Sequence, residues 1–107
     1  MSKVVFKKDD NINELLSAKK VSVLQFSAEW CGPCRTLGPI IDQLSEDNVD
    51  KDVIIAKINV DENQELAVKY GVRGIPTVII LKDGEEQSRK VGVTEKSEFQ
   101  SIINGLL

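Results

Sequence analysis

Trp30-Cys31-Gly32-Pro33-Cys34 is the stretch that decides how this chain reads. Its two cysteines are the only ones in 107 residues, and Trp30 is one of five aromatic side chains. The apolar run Val21-Ser22-Val23-Leu24-Gln25-Phe26 leads in and reads as a strand. A helical pattern from about Pro33 to Glu46 leads out, with Leu37, Ile40, Ile41 and Leu44 on one stripe. A strand therefore delivers Cys31 to the mouth of a helix.

That placement has chemical consequences. The first N–H groups of a helix have no partner within it, and the macrodipole makes this end partly positive. A thiolate at Cys31 is favoured there, so its pKa is expected to fall and its reactivity near neutral pH to rise. Pro33 suits the first turn, where its missing N–H is not needed. Cys34 lies one turn further in, within reach of Cys31 and expected to be the more shielded of the two. The pair thus offers a nucleophile and a resolving thiol in a single turn.

Three other uses of the pair compete with this redox reading. A structural cross-link over so short a loop contributes only about 2 kcal/mol in the chain-entropy model, against ~4.7 for a loop of about a hundred residues. Half a zinc site lacks its other half, because zinc takes mostly Cys and His ligands and the chain has no His and no third Cys; no metal is expected. Two buried, inert thiols are the third alternative. The spacing and the flanking elements favour redox chemistry over all three.

The rest of the composition narrows the class. At this length the chain reads as one domain, residues 1–107, with a core large enough to fold alone. The formal net charge of −3 and the isolated pairs Lys7-Lys8 and Lys19-Lys20 offer no concentrated basic face for nucleic acid. Met1-Ser2-Lys3-Val4-Val5-Phe6-Lys7-Lys8 does not read as a secretory leader. The apolar runs are strand-sized, far short of the ~20 residues that span a bilayer. The expected compartment is the reducing cytoplasm, where a cysteine pair is more often catalytic than structural.

Taken in order, Val4-Val5-Phe6 is a short strand. Asn11 caps a helix to Ala18, with Glu14 at capping-box spacing and Ile12, Leu15 and Leu16 on one face. The strand from Val21 to Ser27 is apolar at both parities apart from Ser22, Gln25 and Ser27, so it is expected to be covered on both faces. Pro39 sits inside the following helix, where it removes one hydrogen bond and is expected to kink the helix. Val53 to Ile58 forms the next strand, apolar except for Lys57, and the β-α-β-α-β order favours parallel pairing. Asp61 and Gln64 have capping-box spacing for a short helix to Tyr70, terminated by Gly71. After the loop Val72-Arg73-Gly74-Ile75-Pro76, Thr77 to Leu81 is a strand. Asp83-Gly84 turns it into an antiparallel, polar edge strand from Glu85 to Val91. Thr94 is positioned to cap a last helix bearing Phe99, Ile102, Ile103 and Leu106.

Together these features closely resemble the thioredoxin family. They are Ala28-Glu29-Trp30-Cys31-Gly32-Pro33-Cys34, Pro39, Lys57 with Asn59 and Asp61, Gly74-Ile75-Pro76-Thr77, Asp83-Gly84 and Gly92, in the family's order and spacing along nearly the whole chain. The resemblance implies an α/β thioredoxin fold: a central five-stranded mixed sheet in the order first, third, second, fourth, fifth, flanked on both faces by four helices. It implies a cis Ile75–Pro76 bond against the cysteines and reduction of disulfides in other proteins through Cys31 and Cys34. Gly32, Pro33, Gln25 and Lys57 would tune the pair, while Trp30, Gly74, Ile75, Pro76 and Gly92, with Val72 and Val93 near them, would form an apolar docking surface. No bound cofactor is implied; the dithiol would be restored by an NADPH-dependent flavoprotein reductase, and the chain would act as a monomer without nucleic-acid or membrane partners. The indole N–H of Trp30 needs an acceptor, and Asp61 is the candidate. Relatives that act as disulfide oxidants or isomerases usually carry a His between the cysteines, which this chain lacks. A non-catalytic subunit role is a further alternative.

Three positions depart from the family. Gln25 stands where most relatives have a buried Asp thought to take the resolving cysteine's proton. Either Gln25 satisfies Lys57 by a hydrogen bond and the Cys34 proton leaves through water or to the departing thiolate, or a buried Lys57 loses its proton readily and serves as the base; the snorkelling reach of lysine favours the first. Ser27 replaces a frequent Trp, and Arg35 a frequent Lys.

Overall fold

The computed structural model describes residues 3–107; Met1 and Ser2, which open the segment read above for a leader, lie outside them. The elements are β1 (Lys3–Phe6), α1 (Ile12–Ala18), β2 (Val21–Ser27), α2 (Gly32–Asp47), β3 (Val53–Asn59), α3 (Gln64–Lys69), β4 (Thr77–Lys82), β5 (Glu85–Val91) and α4 (Lys96–Leu106). The strands form one sheet in the order β1-β3-β2-β4-β5. β1 and β2 run parallel to β3, as helical crossovers require, β4 runs antiparallel to β2, and β5 runs antiparallel to β4.

β2 is central because its sequence can be buried on both faces, and all of its residues are buried. Val21 and Val23 face one layer, where Leu37, Ile41 and Leu44 of α2 meet Phe99 and Ile103 of α4. Leu24 and Phe26 face the other, against Ile12, Leu15 and Leu16 of α1, Leu66 and Ala67 of α3, and Tyr70 just beyond it. Each such side chain fully removed from water contributes about 1.5–3 kcal/mol before entropy is counted. Gln25 and Ser27 continue the α2-facing row of β2 toward the end that carries the cysteines.

Local signals explain most boundaries. Asn11 Oδ1 accepts from the N–H groups of Asn13 and Glu14 at 2.8 and 3.3 Å and starts α1. Asp83 and Gly84 both have positive φ (51° and 83°), the backbone a two-residue hairpin needs. Two expected caps are not formed. Asn59 Oδ1 takes the N–H groups of Asp61 and Glu62 at 2.8 and 3.1 Å, so the chain turns before α3, and Asn63 rather than Asp61 occupies the cap position. Extended backbone persists through Glu95, which puts that residue, not Thr94, at the start of α4 without a side-chain cap bond. A register irregularity between Ile80 and Leu81 in the β4–β5 pairing also lies outside the sequence pattern.

The rear of α2 is tied to α4. Fully buried Asn48 donates to Leu44 O at 2.6 Å and to Gln100 Oε1 at 2.7 Å, and Gln100 donates back to Asn48 Oδ1 at 2.8 Å. Lys96 reaches Asp47 at 2.6 Å; its ammonium and the Gln43 amide hold the Asp47 carboxyl below the usual range. Pro39 sits within α2 without ending it.

Candidate active site

Cys31 is the N-cap of α2, and its Sγ accepts the Cys34 N–H at 3.2 Å. The β-region backbone of Cys31 and the Gly32-Pro33 turn place its sulfur over the unpaired amides of the first turn. The two cysteines are joined as a disulfide with Cα atoms 5.3 Å apart. Cys31 is 4% exposed and Cys34 7%, so the expected difference in shielding is absent in this oxidised state. The reason is local: Ala28, Val60 and Ile75 pack around both sulfur-bearing residues.

The loop opposite is held at both ends. Arg89 on β5 donates to Tyr70 O at 2.6 Å and to Gly71 O at 3.4 Å, at the end of α3. Thr77 Oγ1 donates to Gly74 O at 2.6 Å, and Gly92 N–H to Pro76 O at 2.8 Å. The Ile75–Pro76 bond between these anchors is cis. Among the described residues, nothing hydrogen-bonds to the N–H or carbonyl of Ile75.

Trp30 is 70% exposed, and its indole N–H donates to Asp61 Oδ2 at 2.8 Å, as anticipated. That bond, together with the Asn59 turn, explains why Asp61 does not cap α3. Gly74, Ile75, Pro76, Gly92 and exposed Val93 belong to the loops around the pair, whereas Val72 packs inward against the α3-side core. Two residues of the surroundings escape the sequence reading. Val60 packs on the cysteines one position beyond β3, and Val91, 68% exposed, lies beside Gly74. Both look like ordinary strand-end valines in sequence.

Below the pair, a cleft of about 520 Å³ is lined by Gln25, Cys34, Arg35, Lys57, Asn59 and Glu62, among others. Gln25 and Lys57 are register neighbours on β2 and β3, yet the hydrogen bond expected between them is not formed. Lys57 is exposed rather than buried, with its stem able to carry the side-chain end to water. Gln25 is 2% exposed, and its Oε1 is buried without a partner among the described residues. Such an unpaired acceptor costs about 1–3 kcal/mol. Among the described residues no cluster of side chains could hold a metal ion, and no helix is long and apolar enough to cross a membrane.

Arg89 is itself fixed by Glu86, with bonds of 3.0 and 2.8 Å to the two carboxylate oxygens. Arg89 holds the Glu86 carboxyl below the usual range. A depressed folded-state pKa contributes stability above the unfolded carboxylate value, and this is lost as pH falls through the folded value. Glu86→Gln should therefore lower the melting temperature at neutral pH, with the gap to wild type closing as pH drops below the ordinary carboxylate range. Parallel melts across that window check it; a gap independent of pH would show that the ion pair contributes nothing.

The sequence matches the family model described as Thioredoxin over residues 3–105. It is 44% identical over 92 residues to a thioredoxin of Rickettsia typhi, covering 86% of this chain and 87% of that one. It is 48% identical over 91 residues to a thioredoxin of Chlorobaculum thiosulfatiphilum, covering 85% and 83%. The structure superposes on a single-site mutant of the thioredoxin from Halobacterium salinarum with a TM-score of 0.87 at 35% identity, covering 98% and 90% of the two chains. With the disulfide at the head of α2 and the five-stranded mixed sheet beneath it, these matches establish that the chain belongs to the thioredoxin family of protein-disulfide reductases.

Proposed function

We propose that Cys31 is the attacking thiolate and Cys34 the resolving thiol of this reductase. The observation that carries the assignment is the Cys34 N–H directed at Cys31 Sγ across the first turn of α2, a charge-assisted bond once Cys31 ionises. Cys31 thiolate attacks one sulfur of a target disulfide, forming a mixed disulfide and expelling the other target sulfur as thiolate. Cys34 gives up its proton, by way of water or to the leaving sulfur, and attacks Cys31 Sγ. The bond from Cys31 to the target breaks, two electrons have passed to the target, and the Cys31–Cys34 disulfide described above remains.

The other residues have supporting parts. Gly32 and Pro33 shape the turn between the cysteines. Trp30, Gly74, Ile75, Pro76 and Gly92 receive the target, with the free backbone groups of Ile75 pairing an extended segment. Gln25 and Lys57 tune the resolving side from the cleft. The dithiol is restored by an NADPH-dependent flavoprotein reductase, and the chain works as a monomeric single domain, residues 1–107, on disulfides of cytosolic proteins. The family's name for its relatives supports this cycle.

Alkylation of the reduced protein tests the assignment. A fall of only one unit from the free thiol value near 8.5 raises the thiolate fraction at pH 7 from about 3% to about 24%. The weaker nucleophile gives back roughly threefold, leaving about a threefold net gain. Cys31 in a Cys34→Ser background should thus react with iodoacetamide at least about threefold faster than a short-peptide thiol at pH 7. Equal rates would overturn the assignment.

A further inference from the structure

We infer that Gln25 sets the redox equilibrium of the pair by accepting a hydrogen bond from the Cys34 thiol, a bond available only when the disulfide is open. The inference rests on the redox cycle proposed above and adds a residue-level determinant to it. Its geometry comes from the α2-facing row of β2, where Val21 and Val23 lie under Leu37, Ile41 and Leu44 of α2. Continued toward the start of the helix, the same row brings Gln25 under the Cys34 turn, and both residues line one cleft.

The state of the structure supplies the rest. With Cys31 and Cys34 joined, the Cys34 sulfur has no hydrogen to give, and Gln25 Oε1 is buried with no partner among the described residues. Reduction takes up two electrons and two protons, breaks the sulfur–sulfur bond and leaves a thiol at Cys34. That thiol is a donor lining the same cleft as an acceptor that otherwise has none among the described residues. Register neighbours do not compete for the acceptor: Val78 on β4 carries no donor side chain, and exposed Lys57 on β3 makes no bond to it. The charged groups facing the cleft are Lys57, Arg35, Glu29 and Glu62. An amide does not ionise in the working range, so Gln25 shifts the balance between the two forms without adding a titration of its own.

The sign follows. The orphaned acceptor disfavours the disulfide, and the new bond favours the dithiol. Removing the acceptor should therefore make the protein a stronger reductant. Gln25→Met keeps the length of the side chain and loses the amide. At equilibrium with reduced and oxidised glutathione, it should favour its disulfide about fivefold more than wild type does, the scale of one modest hydrogen bond. For a two-electron couple this is a shift of about 20 mV to lower potential. Gln25→Glu, above the pH at which its carboxyl ionises, offers a stronger acceptor and should move the potential the opposite way. An unchanged potential in Gln25→Met, or shifts of the same sign in both variants, would overturn the inference.

Should Gln25→Met not fold, the Cys31→Ser protein, whose single thiol is Cys34, provides the check by Raman spectroscopy. Its S–H stretch should lie at the lower frequency of a hydrogen-bonded thiol, and a free-thiol frequency would overturn the inference. Failure of the underlying cycle would look different: wild type would then not reduce insulin at all, whatever the potential of the variants.

Discussion

Cys34→Ser should abolish turnover in an insulin-reduction assay driven by dithiothreitol, a loss of at least about 10³-fold, as expected when one member of a covalent catalytic unit is removed. The same protein should still attack. With Cys31 intact at the head of α2, one equivalent of a disulfide-containing target should be captured as a mixed disulfide that persists until a thiol is added. The rate of trapping, followed by mass spectrometry, separates this outcome from a misfolded variant, whose exposed thiol would react no faster than that of a short peptide. Cys31→Ser should neither turn over nor form the adduct through the remaining thiol at a comparable rate. If Cys34→Ser turned over like wild type, the resolving role would be wrong, and a role confined to binding other proteins would become the better account.

Phe26→Ala should cost about 3–5 kcal/mol, the usual range for emptying a fully buried aromatic site. Phe26 is fully buried on the α3-facing row of β2, its ring 6.1 Å from that of Tyr70. Neighbours from strand and helix cannot collapse into the space without moving the sheet. Against a domain stability of about 5–15 kcal/mol this is a large fraction. For a chain of this size it corresponds to a fall in melting temperature of roughly 12–30 °C. Val68→Ala makes the natural control, because Val68 is 80% exposed on α3 and its loss should stay within about 0.5 kcal/mol. Denaturant melts decide between them; a loss at Phe26 no larger than at Val68 would mean that the α3-side layer does not stabilise the fold as its burial implies.

Much of this architecture is legible in the chain itself. The two-faced apolar run at Val21–Ser27 could only be a central strand, and Asn11 and Asp83-Gly84 announce their local geometry because the relevant bonds are short-range. The cysteine pair at a strand-to-helix junction likewise carries its chemistry in its spacing. What stays hidden depends on competition between partners distant in sequence. Asp61 reads as a cap, but Trp30 claims its carboxylate across 31 positions while Asn59 arranges the turn. Thr94 reads as a cap too, yet the chain leaving Gly92 is still extended at Glu95. Lys57 interrupts an apolar strand, and the sequence alone does not say whether its ammonium turns to Gln25 or to water. Val60 packs on the cysteines and Val91 beside Gly74 only because the sheet order carries the ends of β3 and β5 to the same end of the sheet. The arginine clamp on the loop is invisible for the same reason, since Arg89 and Tyr70 are 19 residues apart.

Pro39 gives α2 a division of labour. Its nitrogen has no hydrogen to offer the carbonyl of Arg35, so one backbone rung is missing just behind the turn that holds the cysteines. Behind that gap, the Asn48–Gln100 amide pair and the Lys96–Asp47 contact bolt the helix to its neighbour. The missing rung thus separates two stretches of one helix: a front turn that carries the sulfur bridge, and a longer rear part whose side chains are tied to α4.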